Sequence, residues 1–214
     1  MFLPPHFKED DVARLHDAIR KSGLATLVTY GPEGLDASHI PMLLETEPQP
    51  FGTLIGHVSR ANSQWRSFAS DVPALAIFLG PEAYVSPSWY ATKRQTGKVV
   101  PTWNYVAIHA YGQLQAFHDA DRLLDLVTRL THRQEDRRAQ PWAVDDAPAD
   151  YVQAQLKGIV GFELPIARLE GKWKVSQNRP AEDHAGVVEG LLTEGEAEVA
   201  RLVAEGNGLI DLGI

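Results

Sequence analysis

The feature that most constrains the fold is an alternating stretch of sequence over residues 103–117. Apolar side chains occupy every second position along it: Val106, Ile108, Ala110, Leu114 and Ala116. Polar or aromatic residues such as Tyr105, His109 and Tyr111 lie between them. A period of two is typical of a β-strand with one apolar face and one wetter face. The stretch therefore predicts a long strand whose apolar face packs against a core.

Strand patterns recur along the chain and helix patterns are few among them. Strands are predicted at 24–30, 35–44, 53–58, 74–79, 84–86, 103–117 and 158–170. Helices are predicted at 9–22, 61–69 and 121–130, with a short one before the last strand and two acidic ones from about Asp183 and Thr193. Because strands and helices do not alternate regularly, a doubly wound sheet is excluded. The pattern favours a small antiparallel β-barrel with peripheral helices (α+β), in one domain over 1–214 with C-terminal helices from about 183.

Composition narrows the function classes. The 214 residues are 44% hydrophobic and 22% charged, which is ordinary for a globular protein. There is no cysteine, so disulfides and thiolate-bound metals are excluded. The N-terminus lacks the pattern of a secretory signal, and no run approaches the roughly 18 apolar residues of a membrane span. The sequence predicts a cytoplasmic protein that does not contact a membrane.

The net charge of −8 works against a general affinity for nucleic acid. One basic concentration stands out: Arg129, His132, Arg133, Arg137 and Arg138. Three of these arginines have the spacing i, i+4, i+8 of a single helix stripe. The stripe is interpreted either as a solvated, salt-bridged face, since Glu135 and Asp136 interrupt it, or as a DNA-binding patch.

Standard catalytic and metal-binding signatures are absent from the sequence. It contains no G-x-G-x-x-G that opens a helix after a strand, no G-x-x-x-x-G-K-[ST] and no H-E-x-x-H. His39, His57 and His109 lie on predicted strands, but no carboxylate accompanies them at ligand spacing. They are interpreted as hydrogen-bonded strand histidines or as polar lining of a cleft, and no protein-bound metal is expected.

The segment 84–105 carries the strongest functional pattern. Two aromatic-polar groups, Trp89–Tyr90 and Trp103–Tyr105, bracket a short loop that holds three cations: Lys93, Arg94 and Lys98. Aromatic rings offer surfaces for stacking, and ammonium or guanidinium groups bind phosphate. The segment therefore suits a planar, anionic ligand.

Three further clusters have similar chemistry. In 56–65 a strand ends and a helix begins near Arg60 and Asn62, which indicates either an anion site or simple capping by Ser59 or Asn62. Ser38 and His39 precede Pro41, a pattern of a strand that borders a cleft or of a protected edge strand. The segment 170–179 is dense in hydrogen-bond donors. Four such clusters in one small β domain predict a ligand with a phosphate and an aromatic ring.

These segments resemble the PaiB family. The resemblance runs in order along the chain through Met-Phe-Leu-Pro-Pro-His-Phe at 1–7, Ser-His-Ile-Pro at 38–41, Gly-His-Val-Ser-Arg-Ala-Asn-Ser-Gln-Trp at 56–65, Tyr-Val-Ser-Pro-Ser-Trp-Tyr-Ala-Thr-Lys at 84–93, Val-Pro-Thr-Trp-Asn-Tyr at 100–105 and Lys-Val-Ser-Gln-Asn-Arg at 174–179. The family belongs to the FMN-binding split-barrel superfamily, related to pyridoxamine-phosphate oxidases and flavin-dependent reductases. Its members are described as FMN-binding negative transcriptional regulators.

The resemblance implies a six-stranded antiparallel Greek-key split barrel, with FMN in a cleft of a homodimer. Arg60 and the 59–62 turn would face the phosphate, and 177–179 would reach the site from the same or the partner subunit. The implied cofactor-binding residues are Ser38, His39, His57, Arg60, Asn62, Ser86, Trp89, Lys93, Thr102, Trp103, Asn104, Gln177 and Arg179.

A fold and a cofactor do not fix a function. A regulator that contacts DNA through the Arg129–Arg138 stripe is one hypothesis. The alternatives are a flavin-dependent reductase or oxidase that acts on a small substrate, and a flavin or haem sensor without turnover.

Overall fold

A computed structural model describes residues 1–47 and 50–209. Nine strands lie in these residues: β1 (Lys8–Glu9), β2 (Ala25–Gly31), β3 (Gly34–Ile40), β4 (Met42–Glu45), β5 (Thr53–Ser59), β6 (Ala74–Val85), β7 (Thr102–Gly112), β8 (Gln115–Phe117) and β9 (Ile159–Lys174). They form one sheet in the order β3-β2-β6-β7-β9-β5-β4, and β1 and β8 each pair with β9. The predicted α+β class with an antiparallel sheet is confirmed.

The sheet is open. Its two terminal strands, β3 and β4, are consecutive in the chain, and only Pro41 separates them. β3 pairs with β2 through Ile40 opposite Ala25, whereas β4 pairs with β5 through Met42 opposite Gly56. A proline has no N–H to donate to a ladder. The chain therefore changes its pairing partner at this residue, and β3 and β4 end the strand order on opposite sides.

The predicted count of six strands is wrong, because the described residues form nine strands in a sheet that is not closed into a barrel. The predicted strand 35–44 is two strands, because Pro41 interrupts it. The predicted strand 103–117 is also two, since the chain leaves the ladder at 113–114, next to Gly112, where an added Cβ would lie 2.0 Å from the carbonyl oxygen of Pro165. β1 was not predicted, and 74–79 and 84–86 are one continuous strand.

Seven α-helices lie in the described part of the chain: α1 (Val12–Lys21), α2 (Gln64–Ser67), α3 (Thr92–Thr96), α4 (Ala120–Glu135), α5 (Ala149–Leu156), α6 (Ala181–Thr193) and α7 (Ala197–Gly206). Short 3-10 helices cover Pro5–Phe7, Pro87–Trp89 and Val144–Asp146. α2 is a single turn, although the sequence predicted a helix over 61–69. It ends at Phe68 because the backbone turns extended there and the Ala69 N–H donates to the Tyr30 carbonyl.

The chain divides into two compact units, each of which has its own core. The first unit comprises Met1–Asp11, Leu79–Ile108 and the chain from Glu170 onward, and the second comprises Val12–Phe78 and His109–Leu169. In the first unit, α6 and α7 pack against each other through buried aliphatic side chains: Val187, Val188, Leu191, Val199 and Val203. In the second, one apolar cluster joins β4, β8, α4 and α5: Leu43, Phe117, Leu123, Leu126 and Leu156. The single domain over 1–214 stays a prediction.

Candidate functional site

Arg60 lies in the turn after β5, and its guanidinium is bonded to the protein's own backbone. Nε donates to the carbonyl of Lys157 at 2.6 Å, and Nη2 donates to the carbonyl of Ile159 at 2.9 Å. The Arg60 N–H also donates to the carbonyl of Gly158. The side chain therefore fastens this turn to the start of β9, and a phosphate would have to share Arg60 with these carbonyls.

The amides of the same turn are capped locally. Ser59 Oγ accepts from the Ala61 N–H at 3.2 Å, and Asn62 Oδ1 accepts from the Gln64 N–H at 2.9 Å. The Asn62 N–H donates to the Ser59 carbonyl. Capping, one of the two interpretations of this segment, thus accounts for these donors, and α2 is too short to have a helix-terminus anion site.

Ser38 and Asn62, both predicted for the site, are brought together. Asn62 Nδ2 donates to Ser38 Oγ at 2.8 Å. His39, on the neighbouring position of β3, faces the other way, with Nδ1 at 3.0 Å from Thr26 Oγ1. One contact therefore ties β3 to the turn after β5, and His39 takes part in a cross-strand contact instead.

His57 has a buried ring nitrogen. Its Nδ1 has no hydrogen-bond partner in the described residues, and burial lowers the pKa of the ring below its ordinary value of 6.5. The residue lines a cavity of about 450 Å³ together with Pro41, Leu130, Arg133 and Trp142. Buried polar atoms in folded proteins nearly always have a partner, so water or a ligand is expected at this nitrogen.

Gln64, which the sequence did not single out, is the most deeply buried polar residue of the second unit. Its Nε2 lies within hydrogen-bonding distance of three acceptors: the carbonyls of Leu27 and Asp36 and the hydroxyl of Thr29. Its Oε1 is buried and has no hydrogen-bond partner within residues 1–47 and 50–209. Gln64 lies between the turn that contains Arg60 and the residue Trp65, and it is not part of a periodic pattern. Its role in joining β2 to β3 is therefore evident only from the fold.

In the first unit, Ser86 lies within the segment 84–105 that was predicted to face the ligand. Its Oγ accepts from the Ser88 N–H at 3.2 Å, and Lys93 Nζ donates to Ser88 Oγ at 3.1 Å. Trp89 packs on α6 where the helix has two glycines. A Cβ at Gly190 would lie 2.2 Å from the indole ring. Trp89 is therefore held by the helix, and Lys93 stays exposed to solvent.

Arg179 is held in an ion pair with a buried carboxylate. Its Nε donates to Asp183 Oδ2 at 3.0 Å, and its guanidinium carbon lies 4.0 Å from the centre of the Tyr90 ring. The N–H and hydroxyl of Thr92 donate to the same carboxylate at 3.0 and 2.9 Å. These contacts join α3 to the start of α6 and give Arg179 a positioning role.

Asn104 and Gln177 make well-defined contacts with the backbone and side chains around Ser176. Asn104 Nδ2 donates to Ser176 Oγ at 2.9 Å, while its buried Oδ1 has no partner in the described residues. Gln177 bonds the N–H of Val175 and the carbonyl of Trp173. Ser176 has a positive φ of 69°, a rare conformation for a residue with a side chain. The strained turn therefore places the Ser176 hydroxyl beneath Asn104.

Thr102 and Trp103 contact Lys174 at the end of β9, and Lys172 lies two positions before it; neither lysine was selected from the sequence as a site residue. Lys174 Nζ donates to the Thr102 hydroxyl and to the Trp103 carbonyl. Burial lowers the pKa of Lys174, and the nearby charge of Lys172 lowers it further. Lys172 is only 8% exposed and donates to the carbonyl of Phe2 at 3.2 Å. The predicted strand stopped at 170, so the shared face of these lysines was not visible in the sequence.

The basic stripe is largely bonded within the protein. Arg129 pairs with Glu45 at 2.6 Å and with Asp125 at 3.1 Å. Arg133 donates to the carbonyls of Met42, Ser22 and Arg20. α4 ends at Glu135, so Arg137 and Arg138 lie beyond it, and Arg138 pairs with Glu135. Most of this stripe is therefore a salt-bridged or carbonyl-bound face.

Residues 1–47 and 50–209 lack two other kinds of feature. No group of three or more His, Cys, Asp or Glu side chains in these ranges is arranged to hold a metal ion. Among the helices of these ranges, none combines the length and apolar character that a membrane span needs.

Comparison with known sequences identifies relatives along nearly the whole chain. A family model described as "Putative FMN-binding domain" matches residues 1–168. "Protease synthase and sporulation protein PAI 2" of Bacillus subtilis is 32% identical over 205 residues, which cover 96% of this chain and 95% of that protein. These matches confirm the predicted family resemblance and the predicted cofactor, FMN.

Comparison with solved structures supports the fold. An FAD- and haem-binding protein from Mycobacterium smegmatis has a TM-score of 0.57 at 18% identity, over 78% of this chain and 73% of that one. A conserved hypothetical protein from Mycobacterium tuberculosis has a TM-score of 0.59 at 12% identity, over 84% and 94% of the two chains. At such low identity the likeness concerns the fold alone.

Proposed function

Since this chain belongs to the family of FMN-binding domains, we propose that it is a homodimeric, FMN-binding regulatory protein of the PaiB type. FMN supplies an isoalloxazine ring with hydrogen-bonding edges and a terminal phosphate. The protein supplies the polar and aromatic side chains that hold it. The cytoplasmic location stays a prediction.

One observation carries the flavin part of the proposal. Three buried side-chain atoms lack a partner in the described residues, and two of them belong to residues proposed for the cofactor: His57 Nδ1 and Asn104 Oδ1. A flavin edge offers both donors and acceptors, so it can satisfy either atom. We therefore propose that FMN is held by residues from the following set: Ser38, His39, His57, Arg60, Asn62, Ser86, Trp89, Lys93, Thr102, Trp103, Asn104, Gln177 and Arg179.

The regulatory part rests on relationship and on charge. The Bacillus subtilis relative is named for protease synthesis and sporulation, and it matches this chain nearly end to end. Within the basic stripe, Arg137 donates to the Gln134 side chain at 2.9 Å and has no other partner among the described residues. It therefore keeps a charge that a DNA phosphate can neutralise. We propose Arg137 as the DNA-facing residue of the stripe.

The homodimer proposal is supported by exposed aromatic surface on β6 and β7. Trp103 is 54% exposed and Tyr84 is 44% exposed, and their ring centres lie 6.1 Å apart. Exposed aromatic clusters are typical of protein interfaces.

Light scattering coupled to size exclusion should give the mass of two chains for the wild type. Trp103→Ser should shift it toward one chain, and the same mass for both proteins at low concentration would contradict this interface.

Titration with FMN tests the flavin proposal. A ligand that binds only the native state raises the melting temperature with its concentration. We expect FMN to raise it and to lose fluorescence on binding, whereas adenosine monophosphate, a matched phosphate without the flavin ring, should have less effect. An unchanged melting temperature at saturating FMN would contradict the proposal.

DNA binding tests the regulatory proposal separately. Anisotropy of a labelled duplex from the upstream region of the chain's own gene should rise with protein and fall steeply as salt increases, because phosphate contacts release counterions. Arg137→Gln should weaken this binding, and Arg94→Gln, an exposed arginine outside the stripe, should not. Salt-independent or absent binding, combined with NAD(P)H oxidation that requires FMN, would favour the enzyme alternative instead.

A further inference from the structure

The end of β9 carries two lysines on one face of the strand. Lys172 and Lys174 are two positions apart, and side chains two apart on a strand point to the same side. Trp173 between them is buried on the opposite side. β1 flanks this end, with Lys8 opposite Lys172 in the register. The two ammonium groups are close enough that the charge of Lys172 lowers the pKa of Lys174.

Neither lysine is paired with a carboxylate in the part of the chain that the structure describes. The partners of Lys174 Nζ are the Thr102 hydroxyl and the Trp103 carbonyl. Lys172 Nζ has the Phe2 carbonyl as its partner and lies 5.2 Å from the centre of the Tyr105 ring. Removing an ammonium group from water is costly unless an opposite charge compensates it. Two uncompensated charges side by side in a protein of net charge −8 therefore indicate that an anion belongs there.

Other cations of the candidate site do not have this property. Arg60 is bonded to two carbonyls, and Arg179 is paired with Asp183. Lys93 is exposed, so water hydrates it. Lys172 is buried and Lys174 is half-buried, and neither has a carboxylate partner in the part of the chain that the structure describes.

The donors that remain on the two lysines match a phosphate. An ammonium group has three N–H donors. Lys172 uses one of its donors and Lys174 uses two. In the described residues, two donors of Lys172 and one donor of Lys174 therefore have no acceptor. A phosphate monoester has three terminal oxygens and a charge of about −1.5 to −2 at neutral pH. The three remaining donors therefore match the three terminal oxygens of a phosphate monoester, and the two lysine charges match its negative charge.

We propose that Lys172 and Lys174, with the Thr102 hydroxyl that Lys174 orients, form a phosphate-monoester site, and that the terminal phosphate of FMN occupies it. The inference rests on the proposed function, because FMN is the source of the phosphate. Inorganic phosphate has the same chemistry and is the other possible source. The phosphate then compensates both lysine charges, beside the rings of Tyr105 and Phe7, whose centres lie 5.2 Å from Lys172 Nζ and 5.9 Å from Lys174 Nζ.

Comparison of FMN with riboflavin, which lacks the phosphate, tests this site. The wild type should bind FMN at least about tenfold more tightly than riboflavin, as expected for charge-assisted contacts. Lys172→Met and Lys174→Met should abolish this preference and keep riboflavin binding. Lys8→Met is the matched control, because Lys8 is the neighbour of Lys172 across the ladder but pairs with Asp10.

A second measurement separates this inference from the proposed function. The melting temperature in inorganic phosphate is compared with that in sodium chloride of equal ionic strength, without flavin. Phosphate should stabilise the wild type and Lys8→Met, but not Lys174→Met. If flavins do not bind and this pattern holds, the site stands with free phosphate as its ligand and the flavin proposal fails. If FMN binds and both methionine variants keep the preference over riboflavin, the flavin proposal stands and the phosphate site is wrong. If neither phosphate nor FMN binds, both fail.

Discussion

Arg179 and Asp183 form an ion pair in which the carboxylate is fully buried and the guanidinium is still 21% exposed. Burial alone would raise the pKa of Asp183, but hydrogen bonds from the Thr92 N–H, the Thr92 hydroxyl and the Arg179 guanidinium outweigh it and hold the pKa below its usual range. The pair therefore stabilises the ionised carboxylate, and it fastens α3 to the start of α6.

Asp183→Asn should strongly reduce stability. The variant leaves Arg179 without its counter-charge and the buried Thr92 donors with a weaker acceptor, so a loss of about 3 kcal/mol is expected. Urea unfolding at pH 7 measures it. Asp17→Asn is the matched control, because Asp17 pairs with Lys21 at the surface and such pairs contribute less than about 1 kcal/mol. Equal losses for the two variants would show that the buried pair is not special.

The same pair should make stability fall in acid. A carboxyl whose pKa is lowered in the folded state contributes stability that is fully present above its unfolded pKa, near 3.9. That contribution is lost as the pH falls through the lower folded pKa. The difference in unfolding free energy between the wild type and Asp183→Asn should therefore be constant from pH 7 to about pH 5 and should shrink below about pH 4. A difference that stays constant into strong acid would contradict the lowered pKa.

His57 should add a separate pH dependence at higher pH. Burial lowers the pKa of His57, so the unfolded chain takes up a proton below about pH 6.5 while the folded protein does not. Stability should therefore decrease as the pH falls from 7 through 6.5 toward the folded pKa. His57→Gln, which has no titrating group, should flatten the curve of melting temperature against pH in this window. His132→Gln is the control, since His132 is exposed beside Asp136, and an equal flattening by both variants would exclude His57 as the cause.

Gly186 and Gly190 should not tolerate alanine. They are four residues apart on one face of α6, and their added Cβ atoms would lie 2.1 Å from the Trp89 carbonyl oxygen and 2.2 Å from its ring. Alanine gains up to about 1 kcal/mol of helix propensity over glycine, but overpacking costs about 1–3 kcal/mol. We expect a net loss for both, larger at Gly186, where the obstacle is backbone. Gly23→Ala has no atom within 4 Å of its Cβ and should be neutral. Thermal unfolding of the three variants measures these changes in stability. A higher melting temperature for Gly190→Ala would contradict the close packing of Trp89 on α6.

The sequence predicted the parts of this molecule that local pattern determines. Alternation along 103–117 predicted β7, and the family motifs predicted the cofactor. Interruptions of pairing were harder to foresee: Pro41 separates β3 from β4 only because a different neighbour, β5, is available beyond it. The lysines of β9 were not selected for a related reason, since the strand continues past residue 170 to Lys174, and β1, which pairs there with Gly171 and Lys172, is only two residues long.

Roles that depend on distant partners were also beyond sequence reasoning. Arg179 and Gln177 were selected for their donors, yet the structure shows these donors engaged by Asp183 and by backbone groups. Gln64 is the opposite case, because the sequence did not single it out, yet its amide donates to backbone carbonyls of β2 and β3. Which donors remain available for a ligand is fixed by tertiary contacts, and a motif alone does not contain this information.

Arg133 should be a stabilising residue rather than a DNA contact. Its guanidinium donates to the carbonyls of Met42 at 2.8 Å and Ser22 at 2.7 Å, and it also contacts the carbonyl of Arg20. It therefore joins α4 to β4 and to the end of α1. Arg133→Met leaves these carbonyls without their donor and should cost about 1.5–3 kcal/mol, as for hydrogen bonds from a charged group.

Arg133→Lys should not restore this stability, because one ammonium cannot reproduce the planar fork that reaches two segments of chain. Arg137→Met, beyond the end of α4, should change the unfolding free energy by less than about 0.5 kcal/mol while weakening DNA binding. Unfolding and duplex anisotropy measured on the same three variants separate the two roles. If Arg133→Lys were as stable as the wild type and bound DNA more weakly, Arg133 would be a phosphate contact. Its hydrogen bonds to the carbonyls of Met42, Ser22 and Arg20 would then not be needed for stability.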